Sequence, residues 1–191
     1  MLYLAAAVTA YLIGSFPTAY VIVKFARKGT DITRSGTGSI GAMNAHEVTG
    51  SKAVGISVAV IDILKGIIVT LFFQSHSGLI AGLTAALFAV LGHNYSIFMM
   101  FRGGRGLATA AGALLIVQPI AVVVYLAVYF ALRASKLKLY LSSVAGIFCA
   151  AVPIFIKLAD VPEAEILCAL LLLVVLSKHA IPLRNELRNA S

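Results

Sequence analysis

Acidic side chains are scarce in this chain. Only seven Asp and Glu occur in 191 residues, and all charged residues together make up 12%. Soluble domains carry about 25% charged residues, so an ordinary solvated globular surface is excluded. The two cysteines, Cys149 and Cys168, stand inside apolar runs. Their spacing fits neither a metal site nor a disulfide framework, and both read as small buried hydrophobes. No basic segment precedes the first apolar run, so a cleaved signal peptide is not expected. What the chain has in abundance is apolar length. The hydrophobic fraction is 61% and the mean hydropathy +1.01. A polytopic, all-α membrane protein follows, read as one integral membrane domain over residues 1–191. The net charge of +8 does not point to nucleic acid, because the basic residues sit at the ends of apolar runs, where topology accounts for them.

The apolar runs cover about 2–26, 52–73, 78–101, 106–132, 139–157 and 164–183. Six crossings would leave Arg133, Lys136, Lys138 and the basic C-terminus facing outward. Splitting 106–132 at Gln118-Pro119 removes the conflict, since proline lacks a backbone donor and disfavours helix just before itself. The two resulting segments are short, roughly 18 and 22 Å at 1.5 Å per residue. With seven helices, the N-terminus outside and the C-terminus cytoplasmic, Lys157 alone among the 15 Lys and Arg falls outside. Lys65 lies within the membrane, and the rest obey the positive-inside rule. The expectation is therefore a multi-pass membrane protein, embedded in lipid. A self-contained seven-helix bundle fits a monomer.

Two glycine-rich loops share the inner face. The first, 27–50, holds Ser35-Gly36-Thr37-Gly38-Ser39 and Asn44. Gly36, Gly38 and Gly41 spell G-x-G-x-x-G, but no strand precedes them and no βαβ unit follows, so a dinucleotide site is not expected. The underlying physics still applies: glycines let backbone N–H groups converge on an anion, and a following helix N-terminus adds partial positive charge. The second loop runs from Gly92-His93-Asn94-Tyr95 to Arg102-Gly103-Gly104-Arg105-Gly106, with Thr109 in the next helix. Arginine binds phosphate oxygens bidentately, and glycines admit a ligand to the main chain. Asp62 and Lys65, three apart in one apolar run, share a helix face. They read either as a neutralised structural pair or as part of a substrate wall. His179 ends the last run.

These motifs, with Gly14-Ser15-Phe16-Pro17, resemble the bacterial acyl-phosphate:glycerol-3-phosphate acyltransferases, the PlsY family, across nearly the whole chain. The family's second loop reads Phe-Lys-Gly-Gly-Lys-Gly-Val-Ala-Thr; Arg102 and Arg105 stand for its lysines. Thr37 stands for a serine and Ser39 for an asparagine. Glu47 stands where the family has an arginine. In the terminal His-Arg-Glu-Asn motif only His179 matches, with Ala180, Ile181 and Pro182 following. The resemblance implies seven spans, a cytoplasm-facing site, no metal and no cofactor. It implies transfer of an acyl group from acyl phosphate to the sn-1 hydroxyl of glycerol 3-phosphate, giving lysophosphatidic acid and phosphate. His93, Arg105 and His179 are the expected catalytic residues. Ser35, Gly36, Thr37, Gly38, Ser39, Asn44, Asn94, Arg102, Gly103, Gly104, Gly106 and Thr109 are the expected substrate-binding residues. A second reading stays open: a protein of this family that binds or moves a phosphate-bearing lipid or metabolite, or acylates another acceptor.

Overall fold

The computed structural model describes residues 1–188. Among the described residues nine α-helices succeed one another: α1 (Leu2–Ser15), α2 (Thr18–Ala26), α3 (Ala42–Thr49), α4 (Lys52–Asn94), α5 (Leu107–Val117), α6 (Pro119–Ala134), α7 (Leu139–Leu158), α8 (Pro162–Ser177) and α9 (Ala180–Arg188). Three stretches are long and apolar enough to cross a membrane: Leu2–Ala26, Lys52–Asn94 and Leu139–Leu158. The bent pair α8–α9 makes a fourth if taken together.

The breaks follow from local chemistry. Pro17 separates α1 from α2, and the carbonyls freed there find side chains. Ser96 Oγ donates to Ser15 O at 2.5 Å, and Lys65 Nζ donates to Phe16 O at 2.6 Å. At Gly78 (φ +81°, ψ 178°) the helical geometry of α4 fails, in a left-handed region that glycine tolerates. The chain doubles back there, so that Val69 and Phe73 of the first arm pack with Ala81, Ala85 and Ala89 of the second. Gln118-Pro119 parts α5 from α6 as its chemistry demands, and Lys157 Nζ caps the Val117 carbonyl at 2.8 Å.

Four expectations need correction. The run 78–101 is helical only to Asn94, because Met100 and Phe101 adopt positive φ and the chain turns back to bridge Ser96 with Arg102. The run 164–183 ends its helix at Ser177 and bends by 45° into α9. The last turn tightens there, with Lys178 N donating to Val175 O at 3.3 Å and His179 N to Leu176 O at 2.9 Å, and His179 Nδ1 also donating to the Val175 carbonyl; Pro182 has no N–H for the Lys178 carbonyl. The stretch 27–50 contains α3 and a 3₁₀ turn at Ile32–Arg34. Cys168 is buried as expected, but Cys149 lies exposed on α7.

Helix α4 is the hub, packed against α1, α2, α3, α5 and α8. Its Gly66 faces the Thr109 carbonyl so closely that a β-carbon would collide with it. A second core of Leu83, Leu114, Val117, Ile154 and Cys168 joins α4 to α5, α7 and α8. Large apolar side chains such as Phe130, Phe148, Ile156 and Leu173 point outward. This is the inverse of a soluble protein and suits contact with lipid.

Candidate active site

The two glycine-rich loops meet. Ile40 N donates to Gly103 O at 3.2 Å, and Gly104 N donates to His93 O at 3.0 Å. Between them lies a cavity of about 180 Å³, bounded by Thr37, Ser39, Asn44, Asp62, His93 and Arg105 together with residues 41–43 and 106–108. The latter two segments are the N-terminal ends of α3 and α5. The first helical bonds there are Ala45 N to Gly41 O and Ala110 N to Gly106 O. The N–H groups of residues 42–44 and 107–109 thus have no partner inside their helices. Two positive helix ends converge on one cavity.

Arg105 joins them with unspent donors. Among the described residues its guanidinium makes no hydrogen bond or ion pair; its contact is the Tyr140 ring, whose centroid lies 4.6 Å away. Arg102, the other arginine of the loop, is exposed and outside this cavity. It lies on the side of Asp31, whose carboxyl is held below its ordinary range by the Thr33 hydroxyl and amide, then by Arg34 and Arg102. The spacing of the two arginines in sequence does not separate these roles.

Asn44 is buried and works for the loop. Its Nδ2 lies within hydrogen-bond reach of the carbonyls of Ile32, Ser35 and Ser39, at 3.2, 3.1 and 2.8 Å, and its Oδ1 accepts from Thr37 N at 2.9 Å. That one side chain fixes the turn which presents Thr37 and Ser39 to the cavity. Ser35 and Gly36 border a separate open basin with Arg27, Arg34 and Glu47, so the acidic residue at 47 faces away from the cavity. Gly38 shapes the turn between them at φ +70°.

Asn94 and Thr109 are fully buried and do not line the cavity. Asn94 Nδ2 donates to Val174 O at 2.9 Å, tying α4 to α8. Gly103 and Gly104 do not line the cavity; they pack closely against His93. A β-carbon on Gly103 would strike the His93 carbonyl, and one on Gly104 would strike His93 Nε2.

His93 itself is held from behind. Its Nδ1 lies 3.6 Å from Asp62 Oδ1, which also accepts from Lys65 Nζ at 2.9 Å and Thr18 Oγ1 at 3.1 Å. Asp62 is 2% exposed and still reaches the cavity wall. The Asp62–Lys65 pair is a buried ion pair within α4, and Asp62 also borders the cavity. His93 and Asp62 are 31 positions apart on opposite arms of α4, so no local spacing announces them.

His179 is 1% exposed and stands in a smaller adjoining cavity with Arg105, Tyr125, Tyr140 and Ser143. Its Nδ1 donates to Val175 O at 2.8 Å, which leaves Nε2 to face Ser143 Oγ at 3.4 Å. The Tyr125 hydroxyl lies 3.1 Å from the same serine oxygen. None of Tyr125, Tyr140 or Ser143 sits in a recognisable motif. An apolar cleft between α5, α6, α7 and α8 completes the arrangement; Leu107 borders all three spaces.

The glycerol-3-phosphate acyltransferase family model matches residues 4–188. "Glycerol-3-phosphate acyltransferase 2" of Moorella thermoacetica is 48% identical over 120 residues, which are 63% of this chain and 61% of that protein. The match to the Bacillus subtilis relative likewise spans 63% of its length. The glycerol-3-phosphate acyltransferase of Clostridioides difficile is 34% identical over 93% of this chain and 88% of its own. A crystal structure of PlsY, an integral membrane glycerol 3-phosphate acyltransferase, in its glycerol 3-phosphate form superposes with a TM-score of 0.88. It is 28% identical, and the match covers 98% of this chain and 92% of that one. The lysophosphatidic acid form of the same protein gives 0.87. By sequence along nearly its whole length, and by fold, the chain belongs to the glycerol-3-phosphate acyltransferase family.

Proposed function

We propose that this protein transfers an acyl group from an acyl phosphate to the sn-1 hydroxyl of glycerol 3-phosphate, releasing lysophosphatidic acid and phosphate. The observation that carries this reading is the convergence of two helix N-termini and the unspent Arg105 guanidinium on one cavity that opens beside an apolar cleft. Phosphate suits the first feature, and a long acyl chain suits the second. Thr37, Ser39 and the main-chain N–H groups of the two loops hold phosphate oxygens, while Gly103, Gly104 and Gly106 let the loop close against His93 and Asn94. Arg102 adds only to the surrounding positive potential.

The acceptor hydroxyl oxygen attacks the acyl carbon, and the bond from that carbon to the phosphate oxygen breaks. The hydroxyl proton ends on the departing phosphate, with His93 on the cavity wall as the protein group placed to relay it. An acyl phosphate is already activated, so positioning and charge stabilisation supply the rate. His179 and Ser143 order the neighbouring space for the acceptor.

The same reading places the chain in a bacterial plasma membrane as a monomeric single domain with seven crossings and its site at the cytoplasmic face. Lys157, Asp160, Glu163 and Glu165 then cluster on the outer side, and the other loop cations on the inner side, as positive-inside topology requires.

The test is direct. Purified protein given acyl phosphate and glycerol 3-phosphate should form 1-acyl lysophosphatidic acid. Activity with an acyl thioester alone, or a 2-acyl product, would overturn the donor or the position. Folded protein that makes no product but carries organic phosphates into vesicles would favour the transport reading. Gly104→Ala should cut turnover by about tenfold or more, since overpacking at about 1–3 kcal/mol must displace the His93 ring. Unchanged turnover would remove this close approach from the mechanism.

A further inference from the structure

Arg105 stands where the family loop carries lysine, and the structure shows what accompanies the change. Its guanidinium lies over the Tyr140 ring, 4.6 Å from the centroid. Tyr140 is in turn anchored through its backbone. Its N–H donates to both Glu186 carboxylate oxygens at 3.2 and 3.0 Å, and Leu141 N donates to one of them at 3.1 Å. Glu186 belongs to α9, and Lys138 Nζ donates to its main-chain carbonyl at 2.6 Å. A carboxylate from the C-terminal helix thus caps the first turn of α7, as anions do at helix N-termini.

We infer that Tyr140, held by Glu186, is a positioning residue that sets the Arg105 guanidinium in the phosphate cavity. A planar cation laid on an aromatic face keeps its N–H groups in the plane, free to meet two oxygens of a phosphate. A lysine ammonium has no such plane, so arginine and tyrosine form one unit here. The inference deepens the proposed function and rests on its assignment of Arg105 to phosphate.

The experiment compares the wild-type chain with Tyr140→Phe, Tyr140→Leu, Arg105→Lys and the double variant Tyr140→Leu/Arg105→Lys, in neutral-lipid nanodiscs. Two quantities are read: the affinity for inorganic phosphate, from protection against thermal unfolding, and kcat and KM for acyl transfer. Tyr140→Phe should stay within about twofold of wild type. Tyr140→Leu and Arg105→Lys should each weaken phosphate binding about tenfold, with unliganded unfolding temperatures unchanged. The double variant should be no worse than Arg105→Lys alone. Wild-type phosphate affinity in Tyr140→Leu overturns the inference, as do losses that multiply in the double variant, or no phosphate protection of the wild-type chain. If Tyr140→Leu fails to fold, Arg105→Lys decides, because full phosphate affinity there refutes the need for a stacked plane. Phosphate binding is read without turnover. A wild-type chain inactive with these substrates but showing this binding pattern would sink the proposed reaction and keep the Arg105–Tyr140 unit.

Discussion

Replacing Arg105 by alanine is expected to lower acyl transfer by about 10²–10³-fold, the usual cost of removing one charge-stabilising donor from a preorganised site. Arg105 is the only arginine or lysine on the cavity wall among the described residues. Its N–H groups are committed to no other group there. The helix ends and loop amides remain after the substitution, so a residual rate should survive. Because the charge on the scissile phosphate grows as the bond breaks, most of the loss should fall on kcat. Arg102→Ala is the matched control. Its side chain is exposed and outside the cavity, and its removal should cost no more than about threefold, since exposed charges act weakly through solvent. Equal losses at the two positions, or near-wild-type turnover without Arg105, would sink the assignment.

Asp62→Ala should be the most destabilising single change near the site, by about 3–5 kcal/mol. Lys65 is 6% exposed. Without the carboxylate its ammonium keeps only the Phe16 carbonyl, at 2.6 Å, and the face of the Phe16 ring, whose centroid is 5.6 Å away. Thr18 and His93 lose their shared acceptor in the same step. The damage therefore reaches three elements at once: the α1–α2 junction, the first arm of α4 and the His93 end of its second arm. Unfolding in detergent should occur at markedly lower temperature or denaturant. Removing both charges, as Asp62→Leu with Lys65→Met, should recover much of that stability, because a well-packed apolar pair replaces a buried ion pair at little cost. Turnover should stay low in the double variant, since His93 remains without its support. A double variant as unstable as Asp62→Ala would show that the ion pair is not the source of the cost.

The break at Gln118-Pro119 is legible in the sequence, because proline removes a backbone donor and the charges on either side ask for a turn. The breaks at Pro17 and Gly78 are not: 2–26 reads as one apolar run, and a lone glycine fits close helix packing as well as a reversal. The bend before α9 was hidden because hydropathy runs unbroken through Val174, Val175 and Leu176, and Pro182 lies beyond the bend, inside α9, rather than at it. In the site, Arg105, Thr37, Ser39, Asn44 and His93 could be read from glycine-rich spacing, since such loops announce themselves locally. The difference between Arg102 and Arg105 could not, because both stand in the same glycine-rich loop and only the folded backbone, turning through positive φ at Met100 and Phe101, shows Arg102 exposed and Arg105 on the cavity wall. Asp62 behind His93 and Tyr140 beneath Arg105 are long-range meetings. Nothing in a single chain's local pattern encodes them.

The hydrogen bond from Ile40 to Gly103 ties one glycine-rich loop to the other through main-chain atoms alone. Substituting the Ile40 side chain leaves the N–H donor and the carbonyl acceptor in place, so at this position the seam between the loops is insulated from most sequence change; only proline at position 40 would delete its donor.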